Sequence, residues 1–456
     1  MEPENQSTIQ KNKKEIIIII VITIIFLIVV GILFYFKNKN TTDGKGGTLP
    51  NGAGSGSLYS KNGNQDNGGN QDTNNSDADN NIYYREGLIK IWDRPVAGYG
   101  FYNKDTSYSY QDSTGDTIRG TRVDSVLVFV DGDTGFLYQK NLSEATSTPT
   151  QITKTSYPNI REAYFLNIGN QNKVILQYSA NNTIKSVLAN VPYYYATPNE
   201  LENITNLDNG ITNISISPDF SKAVYTVTKN KITNGKKDLF SDWYFINSAG
   251  VSKIYTSDLS SWKLQITNSN EIYAYNNDTA VEKSSLYKLD RGAQLLNQIY
   301  LGHTGSSYFI NDGEVLTSAF TNEGLKIYTN KNFYGNSFND NNLSTLGFNT
   351  LTNKCYLGLS IICGVPREIQ NYDTGLPDAW YQGLTSWQDN LYIINNNYPS
   401  GQMLFDLNID GGVNDFFDLR NIEVTKNQNH LLFINKNDGS LWSLNIGNIL
   451  NTGSGD

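Results

Sequence analysis

Residues able to do chemistry are few in this chain and lie far apart. There are two histidines. His303 sits in Leu301-Gly-His-Thr-Gly305, and His430 precedes the apolar run Leu431-Leu-Phe-Ile434. Neither has another His or a Cys at metal-ligand spacing, so no metal site is expected. A Ser-His-Asp triad built on either lacks a strand-turn-helix elbow to present the serine. Glycoside hydrolysis needs only two well-placed carboxylates, and Asp373, Asp378, Asp389, Asp410, Asp415 and Asp418 crowd the loop-rich final third. Asp in turns is their ordinary explanation, and no catalytic residue is assigned. Gly52-Ala-Gly-Ser-Gly56 imitates a phosphate loop but follows no strand and lacks the Lys-Ser/Thr pair. The Asp72–Asp79 stretch lacks the mid-loop Gly and final Glu of a calcium loop. No cofactor is expected.

Cys355 and Cys363 are the only cysteines. A hairpin turning at Gly358 sets them opposite each other, and an even count outside the cytoplasm favours a disulfide. Two buried free thiols are the alternative. Aromatic residues offer binding chemistry. The stretch Leu376–Trp387 contains Trp380, Tyr381 and Trp387, and Tyr193, Tyr194 and Tyr195 stand between Pro192 and Pro198. Exposed, such rings make a stacking platform for sugars or an anchor for a protein. Folded inward, the Trp380 loop becomes a plug packed with rings instead. Both readings stay open at this stage.

The elements that must position these residues are strands. From Ile82 onward no helical period is sustained, while Tyr, Ile, Val and Thr favour strands and abundant Asn and Gly favour turns. His430–Asn445 is the clearest unit: an apolar strand, an Asn437-Asp-Gly439 turn and a returning strand. Similar pairs recur at Val126–Leu142, Val174–Val191, Ala223–Ile246, Ile272–Leu289, Val315–Thr329 and Cys355–Ile394, making seven. Their closing strands lie roughly 40–65 residues apart, within or above the usual propeller-blade length. One thin sheet cannot bury both faces, but a ring of them can. The expected fold is therefore all-β, a seven-bladed β-propeller over residues 82–450, with six or eight blades as variants. Gly87-Leu-Ile-Lys-Ile-Trp92 has no partner pair, and the last unit lacks an outer strand. The first strand is expected to complete the last blade, which removes two open edges.

Ile16–Phe36 runs 21 residues without a charge. As a helix it spans roughly 32 Å, matching a bilayer core of about 30 Å. No small-residue cleavage site follows, so it reads as an uncleaved signal anchor and single transmembrane helix. Residues 1–15 are then a short cytoplasmic tail, 37–81 a disordered Gly/Asn/Ser/Asp linker, and 451–456 a disordered tail. Lysines flank both ends of the span, so flanking charge leaves orientation nearly tied. Anchor geometry and the cysteine pair place the large domain outside the cytoplasm, on the cell membrane. Residues 1–40 hold five Lys and three Glu of the chain's 35 basic and 44 acidic groups, leaving the remainder acidic. An acidic domain without a basic stripe is a poor match for nucleic acid.

Ser217-Pro218-Asp219-Phe220-Ser221-Lys222 resembles the Ser-Pro-Asp-Gly hairpin entry of TolB-type, WD40-like propeller repeats, with Phe220 in place of Gly. Arg94-Pro-Val-Ala-Gly98, Leu376-Pro-Asp-Ala-Trp-Tyr-Gln-Gly383 and Asp438-Gly-Ser-Leu-Trp-Ser-Leu444 resemble phrases of single-span, membrane-anchored propeller proteins from small-genome uncultivated bacteria. That resemblance implies fold and placement in the cell envelope, and no activity. The expected function is a non-enzymatic module that binds a protein or envelope-assembly partner. The alternative is a propeller that binds or cleaves surface glycans through the Trp380–Trp387 loop.

Overall fold

The computed structural model describes residues 87–447 apart from 112–113, 145–146, 193–196, 234–235, 277–278, 280–281, 334–336, 370–374 and 411–414. All of them fall within one compact unit, Asn75–Asp456. They form seven four-stranded antiparallel sheets, the blades of an all-β propeller. Blade one runs Val96–Gln111, Thr117–Asp131, Leu137–Asn141 and Thr150–Gln151, from first strand to last. Blades two to six repeat this order, starting from Ile160, Ile211, Trp262, Ser307 and Cys355. First strands touch from blade one to blade two and successively from blade three to blade seven. The only α-helix among the described residues is the short Asp378–Tyr381. None there is long and apolar enough to cross a membrane, and Ile16–Phe36, the 37–81 linker and the 451–456 tail lie outside the described residues.

Six of the seven strand pairs expected from sequence are the second and third strands of a blade; Cys355–Ile394 takes in the first three strands of blade six. Those middle strands carry the densest apolar runs because both their faces pack against neighbouring blades. Val126–Asp131, for example, is buried at every position.

Closure follows the expected route. Blade seven consists of Leu419–Val424, His430–Asn435 and Leu441–Asn445, and Leu88–Trp92 pairs with the last of these as its outer strand, from Leu88 opposite Leu444 to Trp92 opposite Leu441. Trp92 then turns its ring onto Phe129 and Tyr138 of blade one, at 5.1 and 4.6 Å between centroids. Its Nε1 donates to Asp131 Oδ2 at 2.8 Å, and Arg94 reaches the same oxygen at 2.9 Å. Asp131 is fully buried, and its other oxygen accepts from Asp133 N and Thr134 N, so this carboxylate is neutralised and saturated. Val96 N donates to Gly439 O at 3.0 Å, tying the start of blade one to the Asp438-Gly439 turn of blade seven.

Blade one also meets blade two at unusually short range. A Cβ built on Gly98 falls 1.9 Å from the backbone oxygen of Ala163, and one on Gly100 falls 2.4 Å from Phe165 Cβ. Only a residue without a side chain fits against that backbone. Gly98→Ala is expected to cost about 2–3 kcal/mol, the upper range for overpacking. Denaturant midpoints of wild type and variant measure this; equal midpoints contradict the packing account.

Candidate functional site

The two ends of the hub differ. The lower end carries the turns between second and third strands, and there blade six inserts Leu376–Trp387. This loop spans from blade seven to blade four. Lys436 Nζ donates to Thr385 O at 2.9 Å, and Lys263, on the first strand of blade four, lies 4.9 Å from the Tyr381 ring. Trp380 and Trp387 are only 4% and 3% exposed and stack on each other at 6.1 Å. Of the two readings left open for this loop, the inward one is observed: the two indoles are committed to the interior. Tyr381 is half-buried, its hydroxyl donating to Asn353 Oδ1 at 3.0 Å. Tyr193, Tyr194 and Tyr195 lie outside the described residues, as does Asp373.

What draws the indoles inward is a buried charge cluster. Lys354, Asp389 and Asp418 are all fully buried. Lys354 Nζ lies 2.6 Å from Asp389 Oδ2 and 2.6 Å from Asp418 Oδ1, and 5.1 and 4.9 Å from the Trp380 and Trp387 rings. Trp380 Nε1 donates to Asp418 at 3.0 Å, and Ser386 Oγ at 2.9 Å. One ammonium thus faces two carboxylates beside the two stacked rings, an arrangement reinforced by cation–π attraction in a dry site. Burial pushes the Asp389 carboxyl up to about 7 despite Lys354, with Asp418 adding to the rise. Burial also raises Asp418, but Lys354, Trp380 and Ser386 outweigh it and hold that carboxyl below its ordinary range. Asp389 and Asp418 are therefore paired, as two of the six candidate carboxylates, but they face a lysine inside the protein and not a substrate. Folded protein keeps a proton on Asp389 that unfolded chain releases, so this group's contribution to stability falls as pH rises from about 4 to about 7. Asp389→Asn removes that slope. Urea midpoints across this range are expected to show the variant gaining on wild type as pH rises; a constant difference refutes the assignment.

Cys355 and Cys363 stand opposite each other on the first two strands of blade six and are joined as a disulfide. His303 Nε2 lies 3.4 Å from Asp340 Oδ1, which also accepts from Tyr300 Oη at 2.7 Å; this is a surface pair. His430 opens its strand half-buried, and burial, then Lys140, lowers its pKa. Among the described residues no three of His, Cys, Asp and Glu converge to hold a metal.

The upper end, carrying the turns between first and second strands, is open. There every blade contributes to a cavity of about 700 Å³. Asn103, Asn167, Asn268, Asn311 and Gln428 present amides, Asp219 and Asp312 carboxylates, and Lys426 an ammonium. Phe101, Phe220, Tyr356 and Leu359 add apolar surface, and Leu359 is 87% exposed at a turn tip. Burial, and then Glu423, pushes the Tyr356 hydroxyl up to about 12, so it stays protonated and able to donate.

The turns around this mouth are stitched to one another. Asn167 N donates to Phe220 O at 2.7 Å, joining blades two and three. Asp219 N donates to Asn268 Oδ1 at 2.9 Å, joining three and four. Ser269 Oγ donates to Asp312 Oδ1 at 2.6 Å, and Asn311 Nδ2 to Leu357 O at 3.4 Å, carrying the chain of bonds to blade six. Within its own turn, Asp219 accepts from Ser217 Oγ and from Ser221 N at 3.0 Å.

Phe220 occupies the position where Ser-Pro-Asp-Gly repeats have glycine, and its φ is +60°. That region costs a side-chain-bearing residue roughly 1–2 kcal/mol, yet here it aims a ring at the mouth, edge-on to Phe101 at 5.2 Å. Sequence reasoning marked Phe220 as a departure from the repeat without giving it a role. Leu359, an apolar residue between Gly358 and Ser360, was the other available signal. Phe220→Gly relieves the backbone and loses the ring; Phe220→Ala loses the ring and keeps the strain. The glycine variant is expected to exceed the alanine variant by about 1 kcal/mol, read from denaturant midpoints. Equal stabilities contradict a strained Phe220.

No protein-family model matches the chain, and no curated protein matches it. Among solved structures it is similar to the β-propeller domain of the Trilobed protease from Pyrococcus furiosus, at 14% identity and a TM-score of 0.37, covering 59% of this chain and 77% of that one. It is similar to an acylaminoacyl peptidase from Pyrococcus horikoshii at 8% identity and TM-score 0.41, over 73% of this chain and 49% of that one. A puromycin-hydrolyzing peptidase of Mycobacterium tuberculosis gives 10% identity and TM-score 0.42, over 75% and 51%. The chain thus spans about half the length of those two peptidases, and nothing about its own chemistry follows from likeness at this level.

Proposed function

We propose that this protein is a membrane-tethered propeller, held outside the cytoplasm by Ile16–Phe36, whose upper face binds a protein or envelope-assembly partner without catalysis. The observation that carries the proposal is a ribbon. In blade one the first two strands pair from Val96 opposite Asp131 to Gln111 opposite Thr117, far beyond the rest of the blade. From Lys104 to Gln111 and from Thr117 to Val123 nearly every residue is exposed. Because it is the hairpin of the first and second strands, it rises from the same end as the cavity.

One face of the ribbon is aromatic. Tyr108 and Tyr110 stack at 6.1 Å with 18° between their planes, and are 40% and 56% exposed. Gly120, opposite Tyr108, lies under its ring: a Cβ there falls 2.6 Å from it. Ile118 stands opposite Tyr110. Nothing in the folding of the blade requires stacked tyrosines in water, whereas amphipathic rings on a projecting element suit a partner interface. The Cys355–Cys363 disulfide supports an oxidising compartment.

Full-length protein in detergent, cross-linked within its own envelope fraction, tests this against a Tyr108→Ser/Tyr110→Ser variant. The variant is expected to keep wild-type stability within about 0.5 kcal/mol and to lose at least about tenfold in partner capture. Capture that ignores the ribbon, or no captured partner, overturns the proposal.

A further inference from the structure

We infer that the upper cavity is a carbohydrate site that takes a short, uncharged oligosaccharide, independently of any partner on the ribbon. Its volume, about 700 Å³, is that of a small-ligand site. What distinguishes it is how its polar groups are divided. The turn backbones are largely occupied: Asn167 N, Asp219 N, Ser269 N and Ile310 N all bond to a neighbouring blade. A peptide bound by strand addition needs a free strand edge to pair with, and the bonds across the mouth take up backbone that would pair in that mode. Recognition falls to side chains.

Those side chains are mostly amides and carboxylates. An amide donates and accepts at once, and a carboxylate accepts from two donors. A sugar hydroxyl likewise donates and accepts, so the amides of Asn103 and Gln428, with the Nδ2 of Asn268 and the Oδ2 of Asp312, match a polyol. Phe101, Phe220 and Leu359 supply the apolar wall that the C–H face of a pyranose needs. Phe220 is the telling residue, since glycine at φ +60° is relaxed and this chain keeps a ring there instead. Two carboxylates against Lys426 disfavour an anionic sugar. The site is at the opposite end of the hub from the buried Trp380 and Trp387.

Full-length protein in lipid nanodiscs, which carry no sugar detergent, is titrated with chitotriose, maltotriose and cellotriose, with sialyllactose as the anionic arm and a neutral tripeptide as the peptide arm. Saturation-transfer NMR and calorimetry give the readout. At least one neutral trisaccharide is expected to bind with micromolar to millimolar affinity. Phe220→Gly is expected to weaken it about three- to tenfold, the worth of one aromatic contact. Asn103→Ala, a change at an exposed side chain, is expected to weaken it severalfold, and Tyr108→Ser/Tyr110→Ser to leave it unchanged. Failure of every neutral trisaccharide to bind, binding indifferent to both cavity variants, or preference for sialyllactose or the tripeptide overturns the inference.

Discussion

An antiparallel sheet of four strands has two unpaired edges and two apolar faces, and everything in this molecule follows from disposing of them. Faces are covered by curving the sheets into a ring, where each blade's middle strands pack on the next. The outer edge of the last blade is covered by the first described strand, Leu88–Trp92. Without that strand the ring has a seam, and a seam between propeller blades exposes both apolar surface and unpaired backbone. Buried Asp131, gathering Trp92 and Arg94 onto blade one, shows how firmly the seam is fastened.

The inner edges are treated differently, since no further strand pairs with the first strand of any blade among the described residues. Here side-chain amides stand in for backbone. Asn213 Oδ1 accepts from Leu264 N at 2.8 Å, and Gln265 both accepts from Ile310 N and donates to Tyr308 O. Such pairs link first strands of adjacent blades where no ladder runs. The chain's many Asn residues thus do more than make turns, and the amides left over at the upper mouth are what gives that cavity its character. At the lower end the same need for burial is met by the Lys354 cluster and the Trp380 loop, which occupy space a ligand could otherwise take.

The phrases that carry the resemblance to membrane-anchored propellers converge on the seam and its surroundings. Pro95 packs against Gly439, where a Cβ would meet Pro95 Cα at 2.8 Å. Lys436 and Asn437, just ahead of Asp438-Gly439, bond to Thr385 and Ser386 in the Trp380 loop. Gly98 permits the close approach of blade two. These contacts tie blade one to blades two and seven, and the Trp380 loop to blade seven. The features assigned to function, the Tyr108–Tyr110 ribbon and the Phe220 mouth, lie on the other end.

Strand periodicity, turn residues and the orphan first strand were enough to specify the blades and their closure, and to favour seven with six or eight left open, because those depend on local alternation and on counting edges. The pairing partners of Cys355 and Cys363 were likewise legible, since a single hairpin sets them opposite each other. For Trp380 and Trp387 the inward and the exposed readings both stood open, because what buries them is Lys354, Asp389 and Asp418 meeting from three separate strand ends, and no spacing encodes that encounter. Nor could sequence tell which end of the hub stays open. Composition and period act between neighbours along the chain, whereas this cavity is made by six turns and the first strand of blade one, which become neighbours only after the ring has closed.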